Sequence, residues 1–143
     1  MHIAENLISA AKNAQLAQVN AILKFSLVET IKPSLTEALS WAAHNGCVAV
    51  AEVLLQFDKK LHGQESRHLV NAQDPHKNTA LHWARYNGHT TMIQLLIDYG
   101  ADETLENINA LTPLQFARSS TNADARALAE KDENSRPLTL TLF

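Results

Sequence analysis

A block of six residues recurs along this chain at a nearly fixed interval, and this repeat limits the fold more than any other feature. Residues 79–84 read TALHWA, and residues 112–117, which begin 33 positions later, read TPLQFA. A related block, EALSWA, occupies residues 37–42, and a fainter copy, LISAA, occupies residues 7–11. Repeats with a period of about 20 to 50 residues are typical of stacked arrays, in which one unit alone cannot bury its apolar face. The sequence therefore predicts about four stacked units with a shared core.

Each copy has the pattern of a short helix, a tight turn and a longer helix. In the third copy these helices are predicted near residues 80–87 and 90–99. Thr79 is the expected N-cap, because its hydroxyl can accept a hydrogen bond from the first turn. Gly88 is expected to end the first helix in a left-handed conformation. The apolar stripe of the second helix consists of Met92, Ile93, Leu95 and Leu96.

The third copy resembles an ankyrin repeat, with its TALHWA block followed by NGH at residues 87–89, LLI at 95–97 and GAD at 100–102. The preceding VNAQD at residues 70–74 matches the β-turn that opens such repeats. This resemblance implies an all-α solenoid of stacked helix-turn-helix pairs with short hairpin fingers.

The resemblance covers nearly the whole chain and implies one ankyrin-repeat domain over residues 1–143. The first and last repeats depart most from the pattern and are predicted to be caps. The tail after Pro137 is expected to lie outside the array. The predicted repeats and tail span residues 4–33, 34–69, 70–106, 107–136 and 137–143.

The interval between the second and third copies is 42 positions, so it carries nine extra residues. They fall within residues 58–69. We interpret this insertion as a lengthened helix and a tolerated loop, because longer loops add little closure entropy. The alternative is a basic, histidine-bearing protrusion that contacts a partner.

The sequence predicts no enzyme, no metal site and no cofactor. Its seven histidines include no pair at His-x-x-x-His spacing, and its one cysteine, Cys47, cannot complete a zinc site. One interpretation makes Cys47 a nucleophile, because it lies at a helix N-terminus with His44 nearby. We favour the alternative, in which Cys47 is a half-buried small residue without a chemical role. The resemblance gives His82 and His89 structural roles as hydrogen-bonded clamps between turns.

Charge and hydropathy narrow the expected partners. The formal net charge of −3 does not favour nucleic acid. No apolar run approaches the roughly 20 residues of a membrane span, and the N-terminus shows no signal-peptide pattern. We therefore expect a cytoplasmic protein that binds neither nucleic acid nor membrane and is monomeric on its own.

The resemblance implies a non-catalytic module that binds a protein partner, as yet unidentified, through a concave groove and the hairpin fingers. Equivalent positions in successive repeats would line one face. The predicted contact residues are Trp41, His44, Asn45, Gln73, Pro75, His76, Asn78, Trp83, Tyr86, Asn87, Ile108, Asn109, Leu111, Ser119 and Ser120.

Two alternative functions are kept open. Residues 129–135 (AEKDENS) are similar to the acidic, polar tail of type IV translocation signals. That similarity would fit a bacterial effector acting in a host cytosol. A small inhibitor or subunit of a larger complex would also fit a domain of four repeats.

Overall fold

Helices account for all the regular structure in the computed structural model, which describes residues 3–135. No strand occurs within that range, so the predicted all-α class is confirmed. A 3₁₀ turn over Lys32–Ser34 leads directly into the fourth helix. The helices are α1 (Ile3–Lys12), α2 (Leu16–Phe25), α3 (Val28–Ile31), α4 (Leu35–Asn45), α5 (Val48–His62), α6 (Ala80–Tyr86), α7 (Thr90–Asp98), α8 (Pro113–Arg118) and α9 (Ala123–Asn134).

The helices pair and then stack in two rows, as the repeat pattern predicts. Helices α1, α4, α6 and α8 form an inner row in which each contacts the next. Each also contacts the outer helix that follows it in its own pair, namely α2, α5, α7 or α9. The outer helices α2, α5 and α7 contact one another in turn. Residues 3–135 therefore form a solenoid of four helix pairs.

One leucine from each copy marks the core of the inner row. Leu7, Leu39 and Leu81 are at most 1% exposed, and Leu114 is 7% exposed. A continuous apolar core extends from the first pair to the third. Leu114 belongs to a smaller cluster of buried residues with Ala117 and Ala129. The fourth pair thus adds little to the main core.

The start of α6 has the cap that the sequence predicts. Thr79 accepts a hydrogen bond from the backbone N–H of His82, and its own N–H donates to the His82 Nδ1 at 3.0 Å. Thr112 and Gln115 form the same reciprocal cap at the start of α8. Because these caps satisfy amides that the helix leaves unpaired, both helices begin at a fixed residue.

Two histidines join neighbouring repeats. The His89 Nε2 lies 2.9 Å from the backbone oxygen of His44, and the His82 Nε2 lies 2.9 Å from that of Leu111. Gly46, with φ of 72°, lies under the His89 ring, and a Cβ there would approach the ring Nδ1 to 2.9 Å. These contacts match the clamp role that the family resemblance implies.

The insertion lengthens α5 to His62 and then folds back against it. Asp58 is 3% exposed and accepts hydrogen bonds from the His62 ring at 2.9 Å, the Ser66 hydroxyl at 2.7 Å and the Leu69 backbone N–H at 3.3 Å. The Lys59 ammonium lies 4.7 Å from the centre of the Tyr99 ring. The loop is therefore anchored to the stack.

The last described helix contains most of the segment that resembles a translocation signal. Residues 129–134 belong to α9, where Asp132 pairs with Arg85 of α6. The predicted tail, residues 137–143, lies outside the described residues. Within residues 3–135, no helix has the length and apolar character needed to cross a membrane.

Candidate functional site

A groove of about 880 Å³ lies between α4, the loop that precedes α6, and α6 itself. We call residues 73–78 of that loop the first finger and the corresponding residues 106–111 the second finger. Six of the predicted contact residues line the groove: Trp41, His44, Gln73, Pro75, His76 and Trp83. The structure therefore brings together residues from two successive repeats.

Four rings form a row along the inner helices, and we refer to Trp41, His44, Trp83 and Phe116 as the aromatic row. The centre of the His44 ring lies 5.6 Å from Trp41 and 5.5 Å from Trp83. Phe116 meets Trp83 edge-on at 5.7 Å. All four side chains are half-buried. Tilted and edge-on aromatic pairs are favourable, so the row presents rings that are held in place but partly open to solvent.

Asp74 holds the Trp83 ring against the first finger. The Trp83 Nε1 donates to the Asp74 Oδ2 at 3.0 Å. The other carboxylate oxygen accepts from the backbone N–H groups of His76 and Asn78, each at 2.9 Å. One carboxylate thus fixes both the shape of the finger and the orientation of an aromatic side chain in the groove.

Sequence reasoning missed five residues that line the groove. Glu37 and Ser40 precede Trp41 and His44 by four residues, so helical periodicity alone places each pair on one face of α4. Their place beside Trp41 and His44 could therefore have been predicted from the sequence. Asp74 is recognisable only as a turn residue, because its contact with Trp83 depends on the folded loop. The five are Pro33, Thr36, Glu37, Ser40 and Asp74.

Four predicted contact residues lie at the ends of the inner helices, outside the lining of the groove. Tyr86 stacks on Phe116 with ring centres 4.6 Å apart. The Asn45 side chain donates a hydrogen bond to the Lys12 backbone oxygen at 2.9 Å. The Asn87 side chain donates one to the Trp83 backbone oxygen, also at 2.9 Å. Ser119 is exposed. Their contact with a partner stays a prediction.

The second finger presents one apolar side chain to solvent. Ile108 is 61% exposed, while its backbone N–H donates to the His76 backbone oxygen at 2.9 Å and so ties the two fingers together. Asn109 is exposed and Leu111 is half-buried. Ile108 and Asn109 are thus accessible beside the first finger.

Two predicted contact residues require correction because their side chains are buried. Asn78 is 5% exposed and accepts a hydrogen bond from the Asn107 side chain at 3.0 Å. Ser120 is 3% exposed and donates to the Tyr86 backbone oxygen at 2.6 Å. Both side chains join neighbouring repeats, so neither is available to a partner.

Burial shifts the pKa of two side chains near the inner row, Cys47 and His82. Burial raises the pKa of the Cys47 thiol, which disfavours the thiolate that a nucleophile would need. Burial also lowers the pKa of His82, against the opposing effects of its Leu111 hydrogen bond and the Asp74 charge. Among residues 3–135, no three His, Cys, Asp or Glu side chains are grouped so as to hold a metal ion.

Comparison with known proteins gives a family and a fold. A family model described as ankyrin repeats (3 copies) matches residues 7–107 and 59–137. Among solved structures, one chain from the crystal structure of the yeast ribosomal protein Rps3 in complex with its chaperone Yar1 superposes with a TM-score of 0.77. The two chains are 24% identical, and the match covers 94% of this chain and 95% of the other. No curated protein matches the sequence.

Proposed function

This chain belongs to the ankyrin-repeat family, and we propose that it acts as a non-catalytic module that binds its protein partner through the groove and the two fingers. The proposal rests on one observation above all. The groove is lined by partly exposed aromatic side chains that the structure already holds in position. Two of them, Trp41 and Trp83, come from neighbouring repeats.

Fixed aromatic side chains suit a binding surface for two reasons. They bury a large area on contact, and little conformational entropy remains to be lost when a partner arrives. Asp74 restrains Trp83, and the rings of the aromatic row restrain one another. Such anchors usually dominate the binding energy of an interface.

The solved structure with the same fold supports partner binding in general terms. It contains a ribosomal protein and its chaperone, which is a complex between two proteins. At 24% identity we carry over the fold and propose no specific partner from it. Residues 129–134 lie within α9 and are no separate tail, so we base no proposal of translocation on them.

Affinity purification from the native cell followed by mass spectrometry tests this function. The wild-type chain is compared with Trp41→Ala, which removes an anchor from the groove, and with Gln56→Ala, an exposed position on α5. We expect Trp41→Ala to weaken partner binding at least tenfold, about 1.4 kcal/mol. Gln56→Ala should bind as the wild type does. If both variants retain the partner while circular dichroism shows them folded, the interface lies elsewhere.

A further inference from the structure

We propose that the groove recognises an arginine side chain on the partner, with its guanidinium stacked on the tryptophan rings and paired with Glu37. This inference rests on the proposed function and adds to it the chemistry of the bound segment. It follows from how the groove combines aromatic faces with negative charge.

The aromatic row already has a cation at one end. The Lys12 ammonium lies 4.4 Å from the centre of the Trp41 ring. That contact lies outside the groove lining, to which Lys12 does not belong. Cations are attracted to the faces of aromatic rings, and tryptophan gives the strongest such attraction. Trp83, in the next repeat, offers a second ring of the same kind inside the groove.

The charges in the groove have one sign. Of the eleven described residues that line it, Glu37 and Asp74 are carboxylates and none is lysine or arginine. Asp74 is occupied by three donors of the chain itself. Glu37 is exposed on α4, and its carboxylate makes no hydrogen bond or ion pair with any described residue. A carboxylate is therefore open to a ligand at the edge of the aromatic surface.

Arginine matches this combination better than lysine or an apolar side chain. Its planar guanidinium can stack on an indole while its edge donates two parallel hydrogen bonds to a carboxylate. An ammonium group would form the ion pair without stacking. An apolar side chain would contact the rings but would leave Glu37 without a partner.

The chain carries its own reporter for a test, because both of its tryptophans line the groove. The probe is a nine-residue peptide of glycine and serine with one central arginine, acetylated and amidated at its ends. Its twins contain citrulline, a neutral isostere of arginine, or lysine. Titrations follow the two indole N–H signals of ¹⁵N-labelled protein by NMR. The protein variants are Glu37→Gln and the matched control Glu52→Gln, an exposed carboxylate on α5.

We expect the arginine peptide to shift both indole signals saturably and the citrulline peptide to bind about fivefold more weakly. The affinity of the lysine peptide should lie between those of the arginine and citrulline peptides. Glu37→Gln should weaken arginine binding about threefold, while Glu52→Gln should leave it unchanged. Equal binding of arginine and citrulline, equal effects of the two Gln variants, or no shift of the indole signals would each overturn the inference. The proposed function would survive any of these results if the Trp41→Ala variant still loses its partner.

Discussion

The imidazole of His82 is fully buried, and both of its nitrogens have backbone partners. The Nδ1 accepts from the Thr79 N–H, so the proton of the neutral ring resides on Nε2, which donates to the Leu111 backbone oxygen. A second proton would leave Nδ1 facing a donor inside a desolvated site. The structure therefore favours the neutral ring, and the pKa of His82 lies below its ordinary value of 6.5.

This lowered pKa predicts a loss of stability in acid. Below about pH 6.5 the unfolded chain binds a proton that the native His82 resists, so the free energy of unfolding falls as the pH drops. The stability that the neutral His82 ring contributes is fully present above pH 6.5, and it is lost as the pH falls through the pKa of His82 in the native protein. Urea denaturation between pH 7.5 and pH 5 should show the decline.

Two variants isolate the contribution of His82. His82→Gln should flatten the decline, because Gln115 performs the same capping role without titrating in the next repeat. The same substitution should lower the free energy of unfolding at pH 7.5 by about 1 kcal/mol, because the hydrogen bond to the Leu111 backbone oxygen is lost. His76→Gln, at an exposed finger position, should retain the full pH dependence. If the free energy of unfolding of His82→Gln falls with pH as steeply as that of the wild type, another titratable group causes the loss of stability in acid.

Leu81 tests the register of the repeats at a single side chain. It is 0% exposed and belongs to the continuous core. We expect Leu81→Ala to lower the free energy of unfolding by about 2 to 5 kcal/mol, because the cavity cannot close in a packed core. Urea denaturation measures the change. Leu27→Ala, at a position that is 78% exposed, should change it by less than about 0.5 kcal/mol. Similar costs at the two positions would contradict the register.

At the scale of an element, the insertion differs from a simple tolerated loop. Asp58 lies in the last turns of α5, and its carboxylate accepts from His62 in the same helix, from Ser66 in the loop and from Leu69, just before the third repeat. A buried carboxylate depends on such donors, since an unpaired buried charge is costly. The loop and the helix therefore stabilise each other.

Deleting residues 59–68 should consequently destabilise the chain. The deletion removes the His62 and Ser66 donors and leaves Asp58 buried, which we expect to cost about 1 to 3 kcal/mol in urea denaturation. The same deletion in an Asp58→Leu background should cost less, because no buried carboxylate is then left without partners. A deletion that leaves stability unchanged would instead support the tolerated loop that the sequence alone suggests.

The contrast between α6 and the groove shows how far the sequence could predict this molecule. The apolar spacing and the Thr79 cap act within one repeat, so the repeat pattern contains them, and the family resemblance implies the clamp histidines. The groove depends on which side chains of α4 face the first finger, and the role of Asp74 depends on a ring nine residues away. Asn78 shows the same limit, because its partner Asn107 lies 29 residues later and nothing local reveals that the amide is already satisfied.

At the scale of the whole molecule, the fourth helix pair contributes little to the main core, and ion pairs help to hold it to the third pair. Its buried apolar residues form a small cluster of their own. Arg85, 5% exposed on α6, donates to Asp132 of α9 at 2.5 Å and to Glu103 at 3.2 Å. In a stacked array each unit depends on its neighbours, so a weakly held end unit opens before the centre does.

Hydrogen exchange should therefore reveal a gradient of stability along the array. Amides of α4 and α6, in the middle of the inner row, should be the best protected, and those of α9 the least. Asp132→Asn removes the negative charge of one partner of Arg85. The Asp132 side chain is 37% exposed and Glu103 remains, so we expect the free energy of unfolding to fall by only about 1 kcal/mol. Exchange in α8 and α9 should rise about fivefold as a result. Exchange in α1 and α4 should stay unchanged, because the ion pairs of Arg85 join α6 to Glu103 and to α9, and not to those two helices. A uniform rise across all helices would show that the array unfolds as one unit and that Arg85 stabilises the whole of it.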